Sequence, residues 1–175
     1  LGASALGVMP NPPTQIEKEH DLESFCSGRP ALDEWLKSTA LQARYSGTAA
    51  TFVVTNSEGQ VVGYYSLATG SINQGDATER VKKGTGSHKI PVILLARLAI
   101  DEGHQGIGLG RALLKDAVVR SVNISKDAGV RAILTHPIDE KASTFYKRFG
   151  FEESPIDPDQ LMILLKDVRK TLGIG

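Results

Sequence analysis

The stretch Gln105-Gly106-Ile107-Gly108-Leu109-Gly110-Arg111 constrains this chain more than any other. Three glycines at two-residue spacing stand between an apolar run, Pro91 to Ile100, and a segment with apolar residues at Leu109, Leu113, Ala117, Val118 and Val122. The run reads as a strand and the segment as a helix. Glycine reaches φ > 0 and has no Cβ, so successive backbone N–H groups can turn inward around an anion. The helix that follows adds the positive end of its dipole. Strand, glycine turn and helix in this order are therefore read as a holder for phosphate. The dinucleotide fingerprint is excluded, because its third glycine would fall on Arg111 or Leu113. The phosphate loop of ATPases is excluded too, since no Gly-Lys-Ser/Thr ends the run.

A length of 175 residues suits one domain with a substantial core. The expected organisation is an extension or cloning remnant over residues 1–13, then a single domain over 14–175. Twenty basic and twenty acidic residues cancel, so no global field points to nucleic acid. The charge is nevertheless uneven, with Arg80, Lys82, Lys83, His88 and Lys89 clustered before the central strand. A solvated loop is the ordinary account of such a run. The single Cys26 cannot form an internal disulfide, which fits a reducing cytoplasm. No apolar run is long enough for a membrane span, and no metal is expected.

Pro30 and the acids after it, with Leu32, Leu36 and Ala40 spaced by four, predict a first helix. Residues 51–55 and 61–68 flank the turn Asn56-Ser57-Glu58-Gly59 and predict a hairpin. Residues 70–86 read as polar and irregular, with one helical turn near 77–81. After the central strand and glycine turn, a long helix runs to about Ala128. Residues 131–135 form a short buried strand, and Asp139 caps a helix from Glu140 to Phe149 that Gly150 ends. Strands at 151–153 and 161–165 and a terminal helix at 166–170 complete an α/β layout, with a mostly antiparallel sheet first and helices covering it.

The placing of Gln105, Gly108 and Gly110 resembles the Gln/Arg-x-x-Gly-x-Gly/Ala signature of the GNAT superfamily of N-acetyltransferases. Phe145-Tyr146-x-x-x-Gly150-Phe151, about 30 residues on, resembles a second signature of the same family. The resemblance covers the chain from Thr14 to Leu165. It implies a GNAT-like fold, α/β with a mixed, largely antiparallel central sheet flanked by helices, and acetyl-coenzyme A as cosubstrate. Its pyrophosphate would meet Gln105, Gly106, Gly108, Gly110 and Arg111, with Ser143 also on the cofactor. Tyr146 would give a proton to the departing coenzyme thiolate; a core tyrosine with a satisfied hydroxyl is the plain alternative.

Amine attack on a thioester builds an oxyanion and expels a thiolate, so N–H donors are needed at the oxygen and an acid near the sulfur. Backbone N–H groups of Leu98, Ala99 and Ile100 are candidates for the first need and Tyr146 for the second. Asp101 and Glu102 are open to two readings, as a base or as caps of the turn. A lysine amine is neutral in about one part in two thousand at pH 7, an α-amine in about a tenth or more. An enzyme without a dedicated base is thus best suited to α-amines.

A narrower resemblance rests on Phe25-Cys26-Ser27-Gly28, Leu32-Asp33-x-Trp35-Leu36, Gly63-Tyr64-Tyr65-Ser66-Leu67, Ala96-Arg97-Leu98-Ala99 and Leu161-Met162. These look like the GNAT toxins of bacterial toxin–antitoxin pairs, and the sequence departs from their pattern at Cys26-Ser27 and Pro137-Ile138. The resemblance implies acetylation of the α-amine of aminoacyl-tRNA, a block to translation, a homodimer and a ribbon-helix-helix antitoxin, with DNA reached only through that antitoxin. The basic residues expected to meet tRNA are Arg80, Lys82, Lys83, Lys89, Arg97, Lys147 and Arg148. Two rival functions remain open: a GNAT acting on a small amine or protein N-terminus, and a non-catalytic module that binds coenzyme A or an antitoxin.

Overall fold

The computed structural model describes residues 11–173, so most of the expected extension over 1–13 lies outside the described residues. In chain order the strands are β1 (Thr14–Gln15), β2 (Ala50–Thr55), β3 (Val61–Ile72), β4 (Ile90–Ile100), β5 (Ala132–Thr135), β6 (Glu152–Glu153) and β7 (Leu161–Leu164). The helices are α1 (Pro30–Ser38), α2 (Ala40–Ser46), α3 (Glu79–Lys82), α4 (Leu109–Asp127), α5 (Glu140–Phe149) and α6 (Leu165–Leu172). The strands form one sheet in the order β1-β2-β3-β4-β5-β7-β6. Pairs β1–β2, β2–β3, β5–β7 and β6–β7 are antiparallel, and β4–β5 is parallel. This is the mixed, mostly antiparallel α/β architecture the sequence predicts.

The chain divides into two compact units. The first takes the chain up to Ala68 together with Arg97–Ala117. Its core joins Ile16, Phe25, Leu36, Ala40, Val53, Val61, Tyr64 and Ala99, with Leu32 and Trp35 packed at the margin. Burying a side chain such as Leu36 stabilises by about 1.5–3 kcal/mol. Alternation along the strands sorts the two faces. Tyr64 and Ala99 face the α1 side, while a Cβ at Gly63 would meet Ile100 together with Leu109 and Leu113 of α4.

The second unit takes Thr69–Ala96 and the chain from Val118 on. Its core joins Ile72, Ala77, Val81, Ile90, Val92, Ala132, Leu134, Met162 and Leu164. Arg131 donates to the carbonyls of Val81 (2.8 Å), Lys83 (2.8 Å) and Arg80 (3.3 Å), satisfying the open C-terminal end of α3.

Three local features differ from the sequence reading. The first helix breaks at Thr39 (φ −125°, ψ −34°), and the chain resumes as α2 until Gly47 ends it in the left-handed region. The Ser38 hydroxyl donates to Glu34 O at 2.7 Å and lies 3.1 Å from the Thr39 hydroxyl, a local competition with the helix ladder. Strand β3 runs to Ile72 rather than ending at Ala68. The segment after it is ordered by a capping box between Asn73 and Asp76 and by Gln74, whose amide donates to His88 O at 2.7 Å.

Candidate functional site

In the first unit, β4 ends at Ile100 and a 3-10 turn, Glu102–His104, leads to the glycines. Asp101 secures this corner. One carboxylate oxygen accepts from the Cys26 amide at 3.0 Å; the other accepts from the Gly103 amide at 3.1 Å and lies 3.1 Å from His104 Nδ1. Burial pushes the Asp101 carboxyl up, but the Cys26 and Gly103 amides and His104 together hold it below its ordinary value. Asp101 is therefore an ionised cap, with its oxygens committed to the turn. The Glu102 amide donates to Cys26 O at 2.8 Å.

Gln105 serves the same corner. Its side-chain amide donates to Ser27 O at 3.0 Å and Ile100 O at 2.9 Å, so it fastens the start of the loop to the end of the strand. Gly106 (φ 78°) and Gly108 (φ 90°) then adopt the left-handed region that any side chain resists. A Cβ at either would meet nothing within 4 Å, so the space above the turn is open. The amides of Gly106, Ile107 and Gly108 donate to no acceptor among the described residues. Helix α4 begins at once: the Gly108 carbonyl takes the amide of Ala112 at 3.1 Å, Gly110 lies in the first turn, and no acidic residue stands there. Arg111, in that turn, is exposed. Three free amides running into the positive end of a 19-residue helix make a concave donor surface for an anion.

Leu98, Ala99 and Ile100 are the last residues of β4. The parallel register of β4 with β5 ends at Leu95 opposite Thr135, whereas β4 continues to Ile100. Arg97 stands just before these residues. Its guanidinium lies 4.0 Å from the centre of the Trp35 ring.

In the second unit, α5 places Tyr146. Asp139 caps the helix by accepting from the Ala142 amide at 2.8 Å, and Gly150 (φ 114°) closes it. Ser143, on the first turns of α5, is buried and donates its amide to Asp139 O at 2.9 Å. Tyr146 is 5% exposed, with Phe145 and Phe151 rings at 5.2 and 5.5 Å. Its hydroxyl is hydrogen-bonded to the side chain of Thr135, and the Thr135 hydroxyl donates to Leu95 O at 3.0 Å. Burial pushes the Tyr146 pKa up to about 12, the Thr135 contact opposing this in part. The phenol thus keeps its proton throughout the neutral range. Thr135 was invisible in the sequence, where it looks like the last residue of an apolar strand.

That shift has a consequence for stability. The folded protein holds the Tyr146 proton more tightly than the unfolded chain does, so the contribution is complete below pH 10 and is lost as pH rises toward 12. Thermal unfolding followed from pH 9 to 12 should fall more steeply for the wild-type chain than for Tyr146→Phe, by up to about 3 kcal/mol at the alkaline end. Parallel curves would show that the hydroxyl is not desolvated.

The basic residues expected to meet substrate have varied surroundings. Arg80 forms a two-point pair with Asp167, at 2.9 and 2.5 Å. Lys82 pairs with Glu79 at 2.7 Å and Lys147 with Glu153 at 2.5 Å. Lys83, Lys89 and Arg148 are exposed, with no carboxylate partner among the described residues. The sequence reading anticipated none of these pairs.

The acetyltransferase (GNAT) domain family matches residues 48–153. The tRNA-acetylating toxin of Mycobacterium tuberculosis is 45% identical over 161 residues, spanning 92% of this chain and 96% of that protein. A solved structure of AtaTR bound with AcCoA is 26% identical and superposes with a TM-score of 0.79, covering 92% of this chain and 97% of that one. The structure of AtaT complexed with acetyl-methionyl-tRNAfMet has the same fold, with a TM-score of 0.84 at 24% identity over 92% of this chain and 98% of that one.

Proposed function

The chain belongs to the GNAT family of acetyltransferases, and from that premise we propose that it transfers the acetyl group of acetyl-coenzyme A to the α-amine of aminoacyl-tRNA. It would act in the cytoplasm as the toxin of a toxin–antitoxin pair, blocking translation by withdrawing charged tRNA. The observation that carries the donor side is the run of amides at Gly106, Ile107 and Gly108 with no acceptor among the described residues, which suits the pyrophosphate of the coenzyme. The acceptor is carried by the 45% identity, across almost the whole chain, to a protein named for acetylating tRNA.

In this reading Gln105 shapes the loop, the glycine amides and the first turn of α4 hold the pyrophosphate, and Ser143 and Arg111 add contacts. The neutral α-amine attacks the thioester carbon, forming the N–C bond and an oxyanion that backbone N–H groups of Leu98, Ala99 or Ile100 stabilise. Collapse breaks the C–S bond, Tyr146 supplies a proton at sulfur, and the nitrogen loses its proton to water. No base is assigned, because Asp101 is committed to its cap and an α-amine needs little help. The same reading includes a homodimer and a ribbon-helix-helix antitoxin that contacts DNA.

The test is to incubate the protein with labelled acetyl-coenzyme A and aminoacyl-tRNA, uncharged tRNA, free amino acids or peptides. Label is expected on aminoacyl-tRNA alone, and alkaline hydrolysis should release the N-acetyl amino acid. Affinity for charged tRNA should fall steeply between about 50 and 200 mM salt, because each phosphate contact releases counterions, while coenzyme binding changes much less. Efficient labelling of peptides or free amines without charged tRNA would replace this function with a plain amine acetyltransferase.

A further inference from the structure

Among the seven basic residues considered, Arg97 is set apart by its surroundings. It is half-buried, yet none of its guanidinium donors has a hydrogen-bond acceptor or carboxylate partner among the described residues. Arginine stays charged, and a partly buried guanidinium whose donors are met by no protein acceptor among the described residues leaves them open to an anionic ligand. It rests on an aromatic platform. The guanidinium carbon lies 4.0 Å from the centre of the Trp35 ring, whose plane lies within 14° of the Tyr64 ring at 6.2 Å. Tyr64 is itself pinned, being fully buried and donating its hydroxyl to Leu32 O at 2.7 Å. A planar cation held over an aromatic face keeps its edge donors free, in the fork geometry that matches two phosphate oxygens. Arg97 also directly precedes the strand residues assigned to the oxyanion, so an anion bound there lies beside the acceptor rather than at the glycine turn.

We infer that Arg97, with Trp35 as its positioning residue, binds a phosphodiester of the acceptor strand close to the aminoacylated nucleotide. This rests on the proposed acceptor and adds to it a defined subsite. Distant phosphates would be met by mobile surface lysines, which set the salt dependence; Arg97 would set the register that delivers the amine.

The experiment compares charged tRNA with aminoacyl-adenosine, which carries the same ester and amine but no phosphodiester. Arg97→Gln should raise KM for charged tRNA about 10- to 100-fold, with kcat, KM for acetyl-coenzyme A and KM for aminoacyl-adenosine unchanged. Arg97→Lys should recover only part of the loss, since an ammonium cannot make the two-point contact. Trp35→Leu should raise KM for charged tRNA about 3- to 10-fold, and Trp35→Tyr, which restores an aromatic face, should rescue it. Equal losses on both acceptors, or an unchanged KM for charged tRNA, would overturn the subsite while leaving the proposed function standing. A wild-type protein that acetylates aminoacyl-adenosine but never charged tRNA would remove the function and the subsite together.

Discussion

Tyr146→Phe is expected to lower the acetyl-transfer rate about 100- to 10,000-fold while leaving the fold and coenzyme affinity in place, the usual contribution of a positioned acid. The surroundings make this substitution clean. The ring is wedged between Phe145 and Phe151, and phenylalanine fills the same space. Removing the hydroxyl orphans no donor, because the Thr135 hydroxyl still donates to Leu95 O. The stability cost below pH 10 should therefore be about 1 kcal/mol, a single exchanged hydrogen bond. The phenol itself suits the role: burial pushes its pKa up to about 12, so it stays protonated from neutral pH to about 10, the range over which an α-amine becomes neutral. Rate under saturating substrates, coenzyme titration by calorimetry and thermal unfolding at pH 7 separate chemistry, binding and fold. A variant that turns over at near wild-type rate would show that the leaving thiolate needs no proton from this residue.

The sequence was legible where local physics and tertiary structure agree. Asp139 and Gly150 bound α5 because an acceptor side chain and a left-handed glycine satisfy groups that every helix end exposes. The glycine turn was legible for the same reason, since positive φ at Gly106 and Gly108 is written in the residue type. Thr39 was not, because its hydroxyl could join a helix or interrupt one; at the break it lies 3.1 Å from the Ser38 hydroxyl. Gln105 shows a subtler limit: its place in the motif suggested a ligand contact, but its amide spans Ser27 O and Ile100 O, partners set by the fold across 78 and 5 residues. The charged residues were hardest. Nothing in composition says that Arg80 spends its guanidinium on Asp167, 87 residues away, while Arg97, 4.0 Å from the Trp35 ring centre, has no acceptor among the described residues.

Gly108→Asp is expected to abolish measurable binding of acetyl-coenzyme A. Two effects act together and a control divides them. Backbone strain comes first: Gly108 has φ 90°, and a residue with a Cβ held there costs about 1–3 kcal/mol. Crowding is absent, since a Cβ at this position meets nothing within 4 Å, so the strain is conformational and Gly108→Ala reports it alone. Charge comes second. An aspartate at the head of α4 interacts favourably with the helix dipole, which offsets part of the strain and favours a folded variant. The same carboxylate competes for the amides of Gly106, Ile107 and Gly108 and repels a pyrophosphate brought to them. Calorimetric titration with acetyl-coenzyme A should therefore show a modest loss for Gly108→Ala and no detectable heat of binding for Gly108→Asp, with both variants melting cooperatively. Equal affinity for Gly108→Asp and wild type would remove the glycine turn from the coenzyme site. Equal losses in the two variants would leave the turn in the site but assign its effect to shape rather than to an anion held on free amides.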